Sequence, residues 1–185
     1  MTTTKTKKTE QQLPKLQPNP FQHEILELVS KQRTKEKKIE VLKEYRNDAL
    51  VSILIWNFDE SIRSALPEGP VPYSSVQEQT SGNDTLSGTI DKQLNNPQAI
   101  DSYSNAKRTS LRKEVNIFYN FIQNGNNDIS NIRRETMFIN LLEGLHPLEA
   151  EILILTKDKQ LDSKYKITLP IISEAYPDIQ WGGRS

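Results

Sequence analysis

The stretch RRETMFINLLEGLHPLEAEILILTKD, residues 133–158, decides the fold that we predict for this chain. Its first half repeats apolar residues at helical spacing, so one face of a helix points inward and the other carries Arg133 and Arg134. The inward positions are Ile132, Thr136, Ile139 and Leu142. We place Gly144 just past the end of this helix, in a left-handed conformation, and Pro147 in the first turn of a second helix. The second helix is apolar on several sides, which makes this hairpin the predicted centre of the core.

The rest of the sequence predicts more helices, and no segment shows the alternating pattern of a strand. Helix starts are indicated at Asn19-Pro20, Thr34, Asp48 and Thr168. A helix that ends near Gln123 is predicted to turn inward Leu111, Val115, Phe118, Tyr119 and Ile122. The closing residues 181–185 are predicted to fray. We therefore expect an all-α fold, a single small helical domain of antiparallel helix pairs at residues 20–180. Composition predicts a disordered arm at 1–19 and a long flexible loop at 74–99.

Composition excludes several classes of function. Lys plus Arg and Asp plus Glu number 24 each, so the molecule has no net field for nucleic acid or an anionic membrane. The absence of cysteine removes disulfides, thiolate nucleophiles and zinc–cysteine sites. No apolar run approaches the roughly 20 residues of a membrane span, and we expect no contact with a membrane.

No constellation of residues predicts catalysis, and we expect no catalytic residue, no cofactor and no metal. His23 and His146 lie far apart in the sequence and are not expected to form a site. Phosphate-binding glycine loops and a Gly-x-Ser-x-Gly elbow are absent. The protein is therefore predicted not to be an enzyme; a site near His146 is the remaining enzymatic alternative, and a turn residue bonding nearby carbonyls is the structural one.

A proline-rich loop is the first candidate for binding a partner protein. Its residues are Pro67, Glu68, Gly69, Pro70, Pro72 and Tyr73. Prolines fix φ and remove donors, so the loop is neither a helix nor an inner strand. It either covers a groove, presents a rigid polyproline segment to a partner, or is a stiff connector whose Tyr73 packs on the core.

A local basic surface is the second candidate. Nucleic-acid binding would use Lys35, Lys37, Lys38, Arg108, Arg112, Arg133 and Arg134, if folding brings them to one face. Neighbouring glutamates neutralise much of this charge, and no aromatic residues alternate with the basic ones for base stacking. A protein partner is therefore the first prediction, and nucleic acid is the alternative.

Several motifs resemble a family of uncharacterised proteins from T-even-like myophages, notably those of marine cyanobacteria. They are KIEVL at 38–42, LPEG at 66–69, RETMFI at 134–139 and LLEGLHPLEA at 141–150. The candidate central motif consists of Arg133, Arg134, Gly144, His146 and Pro147. The resemblance extends over nearly all of residues 21–179. It implies a bacteriophage protein made in the cytoplasm of the host bacterium, leaves association with the virion open, and implies no activity, ligand or catalytic residue.

Overall fold

The computed structural model describes residues 14–71 and 109–184. These residues form eight α-helices and one 3₁₀-helix, and they contain no strand. The helices are α1 (Gln22–Lys31), α2 (Lys35–Glu44), α3 (Asp48–Phe58), α4 (Leu111–Glu114), the 3₁₀-helix (Val115–Phe121), α5 (Asn131–Gly144), α6 (Pro147–Lys157), α7 (Leu161–Tyr165) and α8 (Leu169–Ala175). The predicted all-α class is confirmed. Residues 1–13 of the predicted arm and the whole predicted loop at 74–99 lie outside the described residues, and the single domain at 20–180 stays a prediction.

Helix α6 lies at the centre of the core, as predicted. It packs against α1, α3, α5 and α7. Ala150, Ile152 and Leu153 are almost completely buried, which agrees with the apolar surface on several sides of this helix. The hairpin of α5 and α6 therefore organises the rest of the chain.

Four details of α5 differ from the prediction. Ile132 and Thr136, both predicted to point inward, are exposed, with Ile132 at 79%. Arg134, predicted to face solvent, is only 6% exposed. Gly144 is the last residue of the helix, and Leu145 follows it with an extended backbone (φ −92°, ψ 158°). The left-handed residue predicted at Gly144 is therefore wrong, because an extended residue ends the helix instead.

The predicted helix starts are correct to within a few residues. The Thr34 side chain accepts a hydrogen bond from the Lys37 amide and caps α2, as predicted. Asn47 caps α3 in place of Asp48. Helix α1 starts after Phe21, whose backbone N–H donates to the Glu24 carboxylate at 2.7 Å, and not at Asn19-Pro20.

The segment after Val115 is a 3₁₀-helix, with three residues per turn. This period turns Phe118 and Phe121 into the core and leaves Tyr119 51% exposed. The prediction that Tyr119 points inward, made with the α-helical period, is therefore wrong.

The end of the described chain is docked on α3, and the predicted fraying of residues 181–184 is wrong. The buried Asp59 carboxylate accepts hydrogen bonds from the Gly182 amide at 3.0 Å and from Arg184 Nε at 3.2 Å. Burial opposes ionisation of Asp59, but these bonds and those from Ser61 hold its pKa below the ordinary value. The carboxylate therefore fixes the final residues.

Candidate functional site

The proline loop, here residues 66–71, is fastened to the end of α6 by a buried lysine. The Lys157 ammonium donates to the carbonyl oxygens of Pro67 at 2.8 Å and Gly69 at 2.9 Å, and to the Asp158 carboxylate at 2.6 Å. Asp158 in turn accepts the Gly69 amide at 3.3 Å. Because the Lys157 side chain is only 2% exposed, these partners replace the water that its ammonium group loses on burial. The pair therefore fixes the backbone of the loop.

The loop exposes its tip while its base is buried. Pro67, Glu68 and Pro70 are exposed, and Val71 is 5% exposed. Gly69 has φ +92°, which only glycine adopts readily, so the chain turns between the two prolines. This turn is incompatible with a continuous polyproline helix, one of the three alternatives. Pro72 and Tyr73, the other predicted loop residues, lie outside the described residues.

The loop meets α5 at a small apolar depression of about 30 Å³. Helix α5 contributes Glu135, Phe138 and Ile139 to its lining. The loop contributes Pro67 and Pro70. The candidate partner loop and helix α5 therefore form one continuous surface at this depression.

The two histidines, expected to form no site, stack on each other. The ring centroids of His23 and His146 are 5.0 Å apart with an angle of 18° between the planes, and Phe21 packs against both rings. His146 Nδ1 accepts the Leu148 amide at 3.2 Å and so caps α6. His146 is therefore a structural turn residue, as one alternative predicted. The hydrogen bond differs from that prediction, because a backbone amide donates to the ring and the ring does not donate to a carbonyl in this contact. Folding joins the start of α1 to the start of α6 through this stack.

Two carboxylates of α1 influence His23. Glu27, one helical turn away, lies 3.7 Å from His23 Nδ1. Burial lowers the pKa of His23, whereas Glu27 and Glu24 partly oppose this effect. The i, i+4 spacing of His23 and Glu27 is visible in the sequence and was the signal missed there. Among the described residues, no group of three or more histidine or acidic side chains is placed to hold a metal ion.

Glu149 joins the starts of two other helices. Its carboxylate is fully buried and accepts the backbone amides of Gln22 at 3.1 Å and Leu111 at 3.0 Å. Burial raises the pKa of Glu149, and the two amides with Arg112 partly offset this effect. Local sequence patterns give no signal for these contacts, because both partners are distant from Glu149 in sequence.

The basic residues of the predicted nucleic-acid face are mostly engaged. Lys35 pairs with Glu174, and Lys38 donates to the Lys166 carbonyl oxygen at 2.7 Å. Arg112, on α4, donates to the Pro20 carbonyl oxygen at 3.0 Å. Lys37 is half-buried on α2, and Arg108 lies outside the described residues.

Arg134 of the central motif is a structural residue. Its guanidinium donates to the Asn120 carbonyl oxygen at 2.7 Å, the Asn126 carbonyl oxygen at 2.6 Å and the Asn131 side chain at 2.8 Å. It thereby fixes the loop between the 3₁₀-helix and α5. Arg133, next to it, is exposed.

The fold and site define an all-α protein with a tethered proline loop on its surface. The chain belongs to DUF6433, a family of unknown function, whose model matches residues 25–96 and 95–163. Membership of an uncharacterised family is confirmed, and the phage origin stays a prediction. No curated protein and no solved structure matches the chain. Within residues 14–71 and 109–184, no helix is both long and apolar enough to span a bilayer.

Proposed function

We propose that this is a bacteriophage protein that acts in the host cytoplasm, without catalysis, by binding another protein during infection. The observation that carries this proposal is the proline loop, whose tip is exposed while its backbone is fastened by Lys157 and Asp158. The resemblance to myophage proteins supports the setting.

A fastened loop favours binding for an energetic reason. Ordering a free loop on binding costs conformational entropy, and a loop that is already fixed avoids much of that cost. Pro67 and Pro70 restrict the backbone further, and their exposed rings offer apolar area to a partner. The contacts that hold the loop join its backbone to Lys157 and Asp158. The exposed side chains of its tip therefore remain available to a partner.

Nucleic-acid binding has less support. Lys35, Lys38 and Arg112 have protein partners, and Arg134 is buried. Phosphate binding would have to compete with these contacts. Binding of a partner protein is therefore the better-supported proposal.

The test is a tagged pull-down from infected cells, with and without nuclease, using wild type and the double variant Pro67→Ala/Pro70→Ala. We expect a partner that survives nuclease and whose recovery falls about tenfold with the variant, which corresponds to about 1.4 kcal/mol. Pro170→Ala is the control, because Pro170 is exposed in α8, away from this loop in sequence. Equal recovery with all three proteins, or loss of every partner on nuclease treatment, would contradict the proposal.

A further inference from the structure

Two acidic side chains, one in the loop and one on α5, lack an ion-pair partner among the described residues. Glu68 is exposed at the loop tip, and Glu135 is half-buried and lines the depression. Neither carboxylate makes an ion pair or hydrogen bond with another residue in the described parts of the chain. The nearby Lys157 ammonium is covered and already neutralised by Asp158.

Apolar area adjoins these carboxylates. At about 100° per residue, Ile132, Glu135 and Ile139 fall on one side of α5. Ile139, which lines the depression, is 8% exposed, and Ile132, two turns earlier, is 79% exposed. Arg133 falls about 160° from Glu135 on the helix, so it does not neutralise this side. Ile132 therefore adds exposed apolar area to the side of α5 that carries Glu135 and Ile139.

From this combination we propose that the loop and this side of α5 bind a segment of a partner protein in which Lys or Arg side chains flank an apolar one. The cations pair with Glu68 and Glu135, and the apolar side chain covers the depression beside Pro70 and Ile132. Complementary charge selects the partner and its orientation, while the apolar contact supplies most of the affinity. This inference rests on the proposed function and specifies the chemistry of its partner.

The first experiment places a benzophenone amino acid at position 132 and, as a control, at position 119, where Tyr119 is also exposed. Cross-linking is carried out in infected cells, and the linked peptides are sequenced. We expect position 132 to link to a partner peptide that contains Lys or Arg next to an apolar residue, and position 119 not to link to it. A linked peptide without basic residues would overturn the inference. So would a link to residues 1–13 of the chain itself, which contain Lys5, Lys7 and Lys8.

The second experiment measures binding of the identified partner to Glu68→Gln/Glu135→Gln. We expect about tenfold weaker binding at low salt, and a smaller difference near 0.5 M salt because exposed charges are screened. Glu40→Gln/Glu44→Gln removes the same charge from the exposed face of α2 and is expected to bind like wild type. If Pro67→Ala/Pro70→Ala weakens binding but Glu68→Gln/Glu135→Gln does not, the inference fails and the proposed function stands. If neither double variant changes binding, both fail.

Discussion

The Lys157 ammonium nitrogen lies 2.8 Å from the carbonyl oxygen of Pro67, 90 residues earlier in the chain. This contact links the last turn of α6, at the centre of the core, to an exposed loop. The contact therefore anchors the loop to the core and limits its motion.

Replacing Lys157 with methionine should release the loop. The change keeps most of the side-chain volume but leaves two carbonyl oxygens without a donor and Asp158 without its cation, so we expect a loss of roughly 3 kcal/mol in the free energy of unfolding. Urea denaturation measures this loss, and hydrogen exchange at the Gly69 amide should become faster. The exposed Lys43→Met should change stability by less than about 0.5 kcal/mol. Unchanged exchange at Gly69 would show that Lys157 does not hold the loop.

Two glycines should respond in opposite ways to alanine. A Cβ at Gly125 would lie 1.9 Å from the Tyr119 carbonyl oxygen, so Gly125→Ala must displace backbone and should cost at least about 2 kcal/mol. At Gly144 the nearest atom is the Thr109 methyl at 3.5 Å, an ordinary contact, and the residue is helical. Gly144→Ala should therefore be neutral or stabilising by up to about 1 kcal/mol. Thermal unfolding of both variants measures these changes in stability. A strong loss of stability in Gly144→Ala would indicate that Gly144 is in the left-handed conformation.

Replacement of the two adjacent arginines at the start of α5 should have different effects on stability. Arg134→Met removes three hydrogen bonds from a buried guanidinium and should cost about 3 kcal/mol, whereas the exposed Arg133→Met should cost less than about 0.5 kcal/mol. Chemical denaturation measures both. Equal effects would mean that the contacts of Arg134 do not stabilise the fold.

Stability should fall on acidification because of His23. Burial holds the folded-state pKa of His23 below its ordinary value of 6.5, despite the opposing effects of Glu24 and Glu27 and with a further lowering by Lys164. The unfolded chain thus binds the proton more readily, and stability is lost as the pH falls below about 6.5 towards the folded-state pKa.

The measurement is the free energy of unfolding from pH 7 to 5.5 for wild type and His23→Gln. The variant lacks the titrating group, so its stability should change less over this range. An equally steep loss in the variant would assign the pH dependence to other groups.

Local patterns predicted much of the helical framework. The cap at Thr34 and the proline at the start of α6 were both predictable, because the determinants lie within a few residues of one another. From Val115 to Phe121, by contrast, five of the seven residues are apolar, and their spacing fits both a 3₁₀-helix and an α-helix. Tyr119 was misplaced for this reason.

The site was predictable only in part. The loop could be recognised from its prolines, but its anchor could not, because Lys157 finds its acceptors across 88 and 90 residues of chain. The stack of His23 on His146 and the two amides on Glu149 likewise depend on contacts between distant helices. Apolar periodicity placed Arg134 outside because it gives no signal for an arginine with buried acceptors.

The measurement that tests the central claim most directly is the affinity of the captured partner for purified wild type, Pro67→Ala/Pro70→Ala and Pro170→Ala, with the stability of each protein measured alongside. We predict that the loop variant binds about tenfold more weakly at unchanged stability, while Pro170→Ala binds like wild type. Equal affinity for all three proteins would contradict the claim that the fastened proline loop is the binding surface.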